Sequence, residues 1–587
     1  MAKKQKLELT WVGKDERPKL EPRILIEDPS KSYHAKVRHS DDDIFDNILI
    51  KGDNLLALKA LEQDYTGKVK CIYIDPPYNT GNAFEHYDDG LEHSIWLSLM
   101  RDRIIFLRKL LREDGFFCCQ IDDSEGAYLQ VLLDEIFGRK NYLASFYIQV
   151  RYGNKSLTED NDFQKVIEKI FVYAKDSAVA KAVKEKVPYR VDKFEWKISE
   201  KADGKTVELG GKKVTIFKEG EYEINKIPAS LTGLKETWAT GSLVRQSGSS
   251  GEFLDKNLAP RRDIDGLSTL YKVDGIGEDG LGYRYMTGPK KKTATKGKFY
   301  SGIPLKTLAK IKSGDSDKTK PIENFYDLAG SFGNCRQEGG VVFNGGKKPE
   351  ALLNLLLKHF SLPGDLVLDT FAGSGTTAAV AHKMGRRWIT VEIGDHAETH
   401  IAPRLQTVVD GLDQTGVSES VDWKGGGGFR YYTLAPSLLE TDKFGNWVIS
   451  KDYNPAMLSE AMCKHMGFKY APSQDEDEYW KHGHSTEADF IYVTTQNLTH
   501  DACKKLSDEV GEGRSLLICC KAYSANPEAF DNLTLVKIPT AILAKCEWGQ
   551  DDYSLNVENL PMADALAEED EDSVDDLPLF AEGDDNA

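Results

Sequence analysis

Four consecutive residues, Asp75-Pro76-Pro77-Tyr78, combine a carboxylate, two rigid prolines and an aromatic ring. They follow the apolar run 71–74, which predicts a buried parallel strand, and ligands of open α/β sheets collect at the carboxyl ends of such strands. The Asp75 carboxylate and the Pro76 carbonyl could accept both hydrogens of an exocyclic amine while the Tyr78 ring stacks on the base. The motif therefore predicts a pocket for a flipped nucleobase, although a plain turn has the same residues.

A glycine loop lies far downstream, at 371–378, between a strand-like apolar run and a helix-forming segment that Gly385 closes. Glycines at such a position let the backbone approach a cofactor without a Cβ in the way. Glu392 lies 23 residues past Asp369, where an acid can take both ribose hydroxyls of a nucleoside cofactor. The residues assigned to the cofactor here are Asp369, Phe371, Ala372, Gly373, Ser374, Gly375, Thr376 and Glu392. The same spacing satisfies a dinucleotide fingerprint, so a nicotinamide or flavin oxidoreductase also fits this loop.

Together the two motifs resemble those of the DNA amino-methyltransferases, which carry D-P-P-Y and F-x-G-x-G. The target motif precedes the cofactor motif by about 290 residues, which is the circularly permuted order of the family's beta class. Within that class the chain is similar to the modification (Mod) subunits of Type III restriction systems. Further matching segments are 9–14, Gly52-Asp53-Asn54-Leu55, His93-Ser94-x-Trp96-Leu97, Glu113-Asp114-Gly115 and Ile121-Asp122-Asp123.

This resemblance implies a site-specific DNA methyltransferase that uses S-adenosyl-L-methionine to methylate the N6 amine of adenine after base flipping. In that reading Asp75, Pro76, Pro77 and Tyr78 form the catalytic motif. The resemblance also implies double-stranded DNA as substrate, a homodimer, and a restriction or other defence subunit as partner. Two readings stay open beside it, namely a DNA-recognition subunit for a helicase or nuclease and N4 methylation of cytosine. A ring-carbon cytosine enzyme would need a nucleophilic thiolate in a Pro-Cys pair, and the sequence contains no Pro-Cys.

Several further residues are assigned to the site on less evidence. Lys348-Pro349 matches a family element that lines the methionine end of the cofactor, and Asp53 is another cofactor candidate. For Asp53 the alternative is a cap on the helix predicted at 55–61. Asn79 and Asn82 follow the target motif and are candidates for contact with DNA, although an ordinary surface loop explains them as well.

These motifs require an α/β fold, a mostly parallel Rossmann-like sheet with helices on both faces, in permuted order. We predict an N-terminal arm at 1–44, the target-amine half at 45–175, a target-recognition domain at 176–335 and the cofactor half at 336–415. A flexible hinge at 425–428 then leads into a small C-terminal α/β domain within 416–560, for dimerisation or partner docking. In this domain we predict strands at 489–495, 515–522 and 533–538 and a helix at 499–510 that Thr499 caps. An acidic disordered tail is predicted at 561–587.

The net charge of −18 looks wrong for a protein that binds DNA, but its distribution answers the objection. Residues 564–587 contain eleven acids and no Lys or Arg, whereas residues 281–320 contain eleven Lys or Arg and two Asp. The basic segment falls between the two motif halves, where the family keeps its recognition domain. The residues assigned to DNA contact here are Lys290, Lys291, Lys292, Lys296, Lys298 and Tyr300.

The composition argues against a membrane protein, a secreted protein and a metal-binding protein. With 40% hydrophobic residues the chain can form a large core, and no run approaches the 18 or so apolar residues of a membrane span. The first six residues lack the apolar region of a secretory signal. Nine cysteines occur without a C-x-x-C pair, so we expect buried reduced thiols, a cytoplasmic location and no metal site.

Overall fold

The structure, a computed structural model, describes residues 8–78, 93–153, 163–294, 297–314, 317–343 and 346–554. It divides into two compact units, one formed by residues 1–183 and 323–587 and the other by Lys184–Ile322. The second unit is shorter at both ends than the recognition domain predicted at 176–335. The target motif and the cofactor motif both belong to the first unit.

The first unit is built on an eleven-stranded mixed sheet. Its strands in chain order are β1 (Leu25–Glu27), β2 (Tyr33–His34), β3 (Asn47–Lys51), β4 (Val69–Ile74), β5 (Leu111–Ile121), β6 (Tyr142–Gln149), β7 (Ile167–Ala174), β8 (Phe325–Asp327), β9 (Leu366–Asp369), β10 (Arg387–Glu392) and β11 (Gly428–Leu434). They are arranged in the order β1-β11-β3-β10-β9-β4-β5-β7-β6-β8, and β2 pairs with β11. The six strands from β11 to β5 are parallel, whereas β7 is antiparallel to both β5 and β6.

Helices cover both faces of this sheet. They are α1 (Asn54–Tyr65), α2 (His93–Leu110), α3 (Gly126–Leu133), α4 (Ala329–Asn334), α5 (Glu350–Phe360), α6 (Thr376–Lys383) and α7 (Ala402–Val409). Ile72 and Phe117 belong to the core under α1, α2 and α3. The adjacent Phe116 points the other way, as alternation along a strand requires, and its ring lies 4.9 Å from that of Phe360 in α5. This confirms the predicted fold class.

The predicted flexible hinge at 425–428 is wrong. Gly428 begins β11, which pairs in parallel with β3 and antiparallel with β1, and all four glycines are buried. Gly425, Gly426 and Gly427 have positive φ and lie so close to neighbouring backbone or to Asp43 that a Cβ would collide. The glycines therefore serve close packing, and the boundary of the C-terminal region falls after Leu434.

The C-terminal region has the predicted elements. A sheet of five strands, Lys469–Tyr470, Gly483–His484, Asp489–Val493, Ser515–Cys520 and Leu533–Lys537, is flanked by helices α8 (Pro455–Met466) and α9 (His500–Val510). The predicted cap is confirmed, because the Thr499 side chain accepts the Ala502 N–H. The last described segment returns to the first motif half, where the Tyr553 N–H donates to Asp53 over 3.3 Å.

The second unit, Lys184–Ile322, is mainly an antiparallel sheet. Its six strands in spatial order are Lys205–Leu209, Lys212–Phe217, Leu270–Asp274, Tyr283–Thr287, Lys298–Ser301 and Lys235–Trp238. Two short ribbons accompany it, Trp196–Glu200 with Tyr222–Lys226 and Lys186–Pro188 with Asp317–Thr319. The unit also contains four short helices, Ser242–Arg245, Ser250–Phe253, Arg262–Asp265 and Leu305–Lys312.

All nine cysteines are free thiols, and eight of them are buried, as predicted. In the part of the chain that the structure describes, no helix is both long and apolar enough to cross a membrane, and no group of three potential ligands could hold a metal ion.

Candidate active site

The two sequence motifs meet because β4 and β9 are neighbours. These strands pair in parallel, Val367 with Cys71 and Leu368 with Ile72, so both end at the same edge of the sheet. Asp75 follows β4 and Asp369 is the last residue of β9. β10, which ends at Glu392, lies on the other side of β9. Residues nearly 300 positions apart thus line one edge, the position at which open α/β sheets bind ligands.

The target motif is held by side chains around it. The Tyr78 hydroxyl donates to Asp75 Oδ1 over 2.8 Å, and the indole N–H of Trp96 donates to the Pro77 carbonyl over 2.8 Å. Trp96 lies on α2 among other apolar residues at helical spacing, and it is fully buried. Its additional contact with the motif was not anticipated, because nothing in its spacing distinguishes it from its apolar neighbours.

A second carboxylate, Glu168, lies in the same site, and no pattern in the sequence predicted it. Glu168 is on the antiparallel strand β7, and its Oε2 lies 2.9 Å from the Tyr78 hydroxyl, which shares its single proton between Glu168 and Asp75. The Gln120 side-chain amide also donates to Glu168, and Gln120 in turn accepts the Tyr73 hydroxyl over 2.6 Å. No sequence motif surrounds Glu168, so only the pairing of β7 with β5 reveals it.

Lys348 lies between these two carboxylates. Its Nζ is 3.0 Å from Asp75 Oδ2, 3.6 Å from Glu168 Oε2 and 4.8 Å from the centre of the Tyr78 ring. The sequence predicted that Lys348 lines the methionine end of a cofactor. The structure instead places its ammonium in direct contact with the target motif. The adjacent Pro349 is the residue that precedes α5.

The pKa values reflect this crowding. Burial raises the pKa of Asp75, with the Lys348 charge acting against the rise and the Glu168 charge adding to it. Burial also raises the pKa of Tyr78 well above its usual value, and the two carboxylates add to the effect. The pKa of Lys348 is raised, since its two carboxylate partners outweigh the opposing effect of burial. At neutral pH the site therefore contains a protonated lysine and a protonated phenol.

The glycine loop is closed by hydrogen bonds to Asp369. Asp369 Oδ1 accepts the Phe371 N–H over 2.9 Å, and Oδ2 accepts the Thr377 hydroxyl over 2.5 Å. Burial raises the pKa of Asp369 to about 7, although both of these hydrogen bonds oppose the rise. Gly375 has φ +75°, and a Cβ there would come within 2.8 Å of the Ile401 side chain. This position therefore requires glycine.

The other assigned residues of the loop, Ala372, Ser374 and Thr376, are buried and form hydrogen bonds within the protein. The Ala372 N–H donates to the Val391 carbonyl. The hydroxyls of Ser374 and Thr376 lie 3.1 Å apart, and Arg404 donates to the Ser374 carbonyl and the Thr376 hydroxyl. The Thr376 hydroxyl donates to the Lys348 carbonyl over 3.0 Å, which connects the glycine loop to the target motif.

Glu392 faces this loop as predicted. Its Oε2 accepts the Gly373 N–H over 2.8 Å and its Oε1 accepts the Gly394 N–H over 3.0 Å. His396 Nε2 lies 2.9 Å from the same Oε1, so two backbone N–H groups and an imidazole surround this carboxylate. Next to Asp369, the buried Thr370 hydroxyl has no hydrogen-bond partner among the described residues. An acidic acceptor and an unpaired hydroxyl beside a glycine turn fit a polar nucleoside.

For Asp53 the capping alternative is the one observed. Its Oδ1 accepts the N–H groups of Leu55 and Leu56, both over 2.9 Å, at the start of α1. Its Oδ2 lies 3.2 Å from Arg103. These bonds give Asp53 a structural role at the start of α1. The next residue, Asn54, donates to the Thr370 carbonyl over 2.8 Å and so connects this end of the helix to the glycine loop.

The residues predicted to contact DNA fall into three groups. Lys290, Lys291 and Lys292 are exposed in the second unit. Lys298 instead pairs with Glu236 over 2.7 Å, and the Tyr300 hydroxyl donates to Glu236 over 2.6 Å. Tyr300 is only 2% exposed, so its predicted contact with DNA is wrong, because the ring packs in a core cluster with Phe217, Leu270 and Tyr285. Asn79, Asn82 and Lys296 lie outside the described residues.

Comparison with known proteins agrees with this site. A family model described as "DNA methylase" matches residues 69–262 and 269–402. A probable type III restriction-modification enzyme HindVI Mod subunit from Haemophilus influenzae is 33% identical over 75% of this chain and 60% of its own length. The EcoP15I Mod subunit from Escherichia coli is 24% identical over 86% of this chain and 85% of its own.

The first three relatives are matched over 60%, 61% and 55% of their lengths, so the chain spans about three fifths of them. Among solved structures, PvuII DNA methyltransferase (cytosine-N4-specific) is 13% identical, with a TM-score of 0.31, over 66% of this chain and 94% of that one.

The raised pKa of Asp369 has a consequence for stability. Between its ordinary value of 3.8 and about 7, the unfolded chain loses the Asp369 proton while the folded chain keeps it. The free energy of unfolding should therefore fall as pH rises through this window and level off above it. Asp369→Asn cannot ionise, so its melting temperature relative to wild type should increase between pH 5 and pH 7.5. A difference that is the same at both pH values would contradict the shift.

Proposed function

We propose that this chain, which belongs to the DNA methylase family, transfers a methyl group from S-adenosylmethionine to the N6 amine of adenine in duplex DNA. The observation that carries the proposal is the pairing of β4 with β9, which puts an amine acceptor, Asp75, beside a nucleoside-type loop that ends β9. The choice of adenine over cytosine rests on the resemblance of Asp75-Pro76-Pro77-Tyr78 to the family's D-P-P-Y motif.

The residues of the glycine loop fit the cofactor. In the proposed complex the Glu392 carboxylate, which borders the loop at Gly373, accepts hydrogen bonds from the ribose hydroxyls, and the unpaired Thr370 hydroxyl bonds a polar group of the nucleoside. When bound, S-adenosylmethionine supplies an electrophilic methyl group on a positively charged sulfur. Asp369 keeps the loop closed through Phe371 and Thr377, so these residues orient the donor without taking part in bond formation.

Asp75 and the Pro76 carbonyl act on the nucleophile. The lone pair of the exocyclic nitrogen is delocalised into the ring, and accepting both N–H groups favours a tetrahedral nitrogen whose lone pair can attack. Asp75 then takes the proton that the nitrogen loses as its bond to the methyl carbon forms and the carbon–sulfur bond breaks, with the electron pair remaining on sulfur. Positioning and electrostatic stabilisation account for the rate in this mechanism, and no protein nucleophile is required.

Tyr78 retains the base outside the duplex. Extracting a paired base costs a few kcal/mol, whereas stacking on an aromatic ring contributes about 1 to 3 kcal/mol per base. The Tyr78 hydroxyl is fixed by Asp75 and Glu168, so little conformational freedom is lost when the base stacks. A nicotinamide oxidoreductase, which the glycine loop alone also allowed, is disfavoured because the family match includes the target motif.

Replacement of the amine acceptor tests the reaction. Asp75→Ala should lower methyl transfer from labelled S-adenosylmethionine to unmethylated genomic DNA by at least about 100-fold, because the amine loses its acceptor. Calorimetry should still detect cofactor binding. Asp64→Ala, an exposed acid in the last turn of α1, is the matched control and should keep the wild-type rate. An undiminished rate in Asp75→Ala would refute the mechanism, and sequencing that detects methylated bases would identify the base.

For DNA binding we propose that Lys290, Lys291 and Lys292 contact backbone phosphates. They are exposed and consecutive, and phosphate contacts release counterions without reading the sequence. The triple alanine variant should bind all duplexes more weakly, and the slope of log K against log salt should decrease by about 2 to 3.

A triple variant elsewhere in the same sheet region controls for charge alone. Lys205, Lys213 and Lys218 are also exposed, and their replacement by alanine removes the same charge. Equal losses of affinity in the two triple variants would show that the effect is only one of net charge and would contradict specific contacts at 290–292.

We also propose that the chain acts as a homodimer with a restriction subunit. The support is that the HindVI and EcoP15I relatives are named as Mod subunits of restriction-modification enzymes. Light scattering of the purified chain should give twice the mass of 65.7 kDa, and affinity purification from its native host should recover an ATPase or nuclease. A monomer would contradict the dimer, and recovery of the chain alone would indicate a solitary methyltransferase.

A further inference from the structure

Both oxygens of the Asp75 carboxylate already have donors within the protein. The Tyr78 hydroxyl lies 2.8 Å from Oδ1 and 2.9 Å from Glu168 Oε2 and shares its single proton between them, and the Lys348 ammonium lies 3.0 Å from Oδ2. Each oxygen keeps a second lone pair, but the Lys348 ammonium neutralises the charge that a target amine bound to Asp75 would use. Tyr78 is anchored through its ring and through a second bond to Glu168, so Lys348 is the more readily displaced donor.

Glu168 is placed to receive Lys348 after such a displacement. The distance from Lys348 Nζ to Glu168 Oε2 is 3.6 Å, only slightly longer than the distance to Asp75. A small rotation of the lysine side chain would reverse the order of the two contacts. Glu168 is already fixed by Tyr78 and by the Gln120 amide, which Tyr73 orients, so the receiving carboxylate needs no rearrangement of its own.

Charge balance points the same way. When both carboxylates are ionised, Asp75 and Glu168 carry two negative charges against the one positive charge of Lys348. When Lys348 pairs with Glu168, the charge of Asp75 remains available to the nitrogen, which becomes positive as it gains the methyl group. If Glu168 were neutral, Asp75 would be the only carboxylate within reach of Lys348, and the amine would meet a neutralised acceptor.

We propose that Glu168 is a positioning residue that takes the Lys348 ammonium from Asp75 when the target amine binds. The proposal rests on the proposed methyl transfer and adds a residue that no motif of the sequence indicated. Glu168 does not contact the reacting atoms in this scheme. It acts through Lys348, and its removal should affect turnover more than cofactor binding.

The variant that tests this is Glu168→Gln, which keeps the size of the side chain and an acceptor for Tyr78. We expect kcat for methylation of unmethylated genomic DNA to fall at least 10-fold, with the Kd for S-adenosylmethionine within twofold of wild type. In the background of Lys348→Met, no ammonium competes for Asp75, so the same Glu168→Gln change should cost less than about twofold. Equal losses in the two backgrounds, or an unchanged kcat in the single variant, would overturn the proposal.

The pH profile gives a readout that a purely structural role would not change. The ionisable groups that face Asp75 are Lys348, Glu168, Tyr78, Tyr73, Cys119 and Asp369. Of these, Glu168 raises the pKa of Asp75 by like-charge repulsion. The acid limb of kcat should therefore move to lower pH in Glu168→Gln, and a limb that stays in place would contradict the proposal.

Two controls keep the outcomes distinct. Melting temperatures of each variant separate misfolding from a loss of turnover. A wild-type chain that methylates no DNA would overturn the proposed function and this inference together, whereas an active wild type with an unaffected Glu168→Gln variant would overturn only the inference. If Lys348→Met alone abolishes turnover, the two backgrounds cannot be compared. The position of the acid limb in the pH profile of Glu168→Gln then tests the proposal.

Discussion

The parallel pairing of β4 with β9 is the constraint on which the site depends. It joins two segments of the chain that are almost 300 residues apart, through the pairs Val367 with Cys71 and Leu368 with Ile72. Side chains alternate along a strand, so a shift of this register by one residue would turn Asp369 away from the loop and Asp75 away from the edge. β4 is fully buried and β9 is buried apart from its first residue, Leu366, so packing on both faces of the sheet fixes the register.

A buried network of ion pairs fixes the conformation of the glycine loop. Glu350 lies at the start of α5 and pairs with Lys383 of α6 and Arg404 of α7, all three of them fully buried. Arg404 also donates hydrogen bonds to the Ser374 carbonyl and the Thr376 hydroxyl. Removing one partner of such a network would leave an uncompensated buried charge, which typically costs about 3 to 5 kcal/mol. The helices after the loop therefore hold its shape, and through Thr376 they also hold the backbone of Lys348.

The sequence predicted those features that local chemistry determines. Glycine at 375, the caps at Asp53 and Thr499, and the strands that end at both motifs each follow from the behaviour of a few adjacent residues. Glu168, Gln120 and the second contact of Trp96 could not be predicted, because they depend on which strands become neighbours. The same limit explains the wrong interpretations of 425–428 and Tyr300. Glycines that permit close packing look like glycines of a hinge, and an aromatic residue among lysines points inward once its strand is placed in a sheet.

The burial of Asp75 serves the chemistry as well as the fold. Its raised pKa makes the carboxylate a stronger proton acceptor than an exposed aspartate, which suits the removal of a proton from the methylated nitrogen. The same burial would favour a neutral, protonated acid, which could not accept an N–H at that oxygen. Lys348 opposes that outcome, because its charge lowers the pKa of Asp75. A lysine bound too firmly would block the amine, however, and a second carboxylate within 3.6 Å of its ammonium provides an alternative partner. The site thus requires an ammonium group, that of Lys348, which can pair with either Asp75 or Glu168.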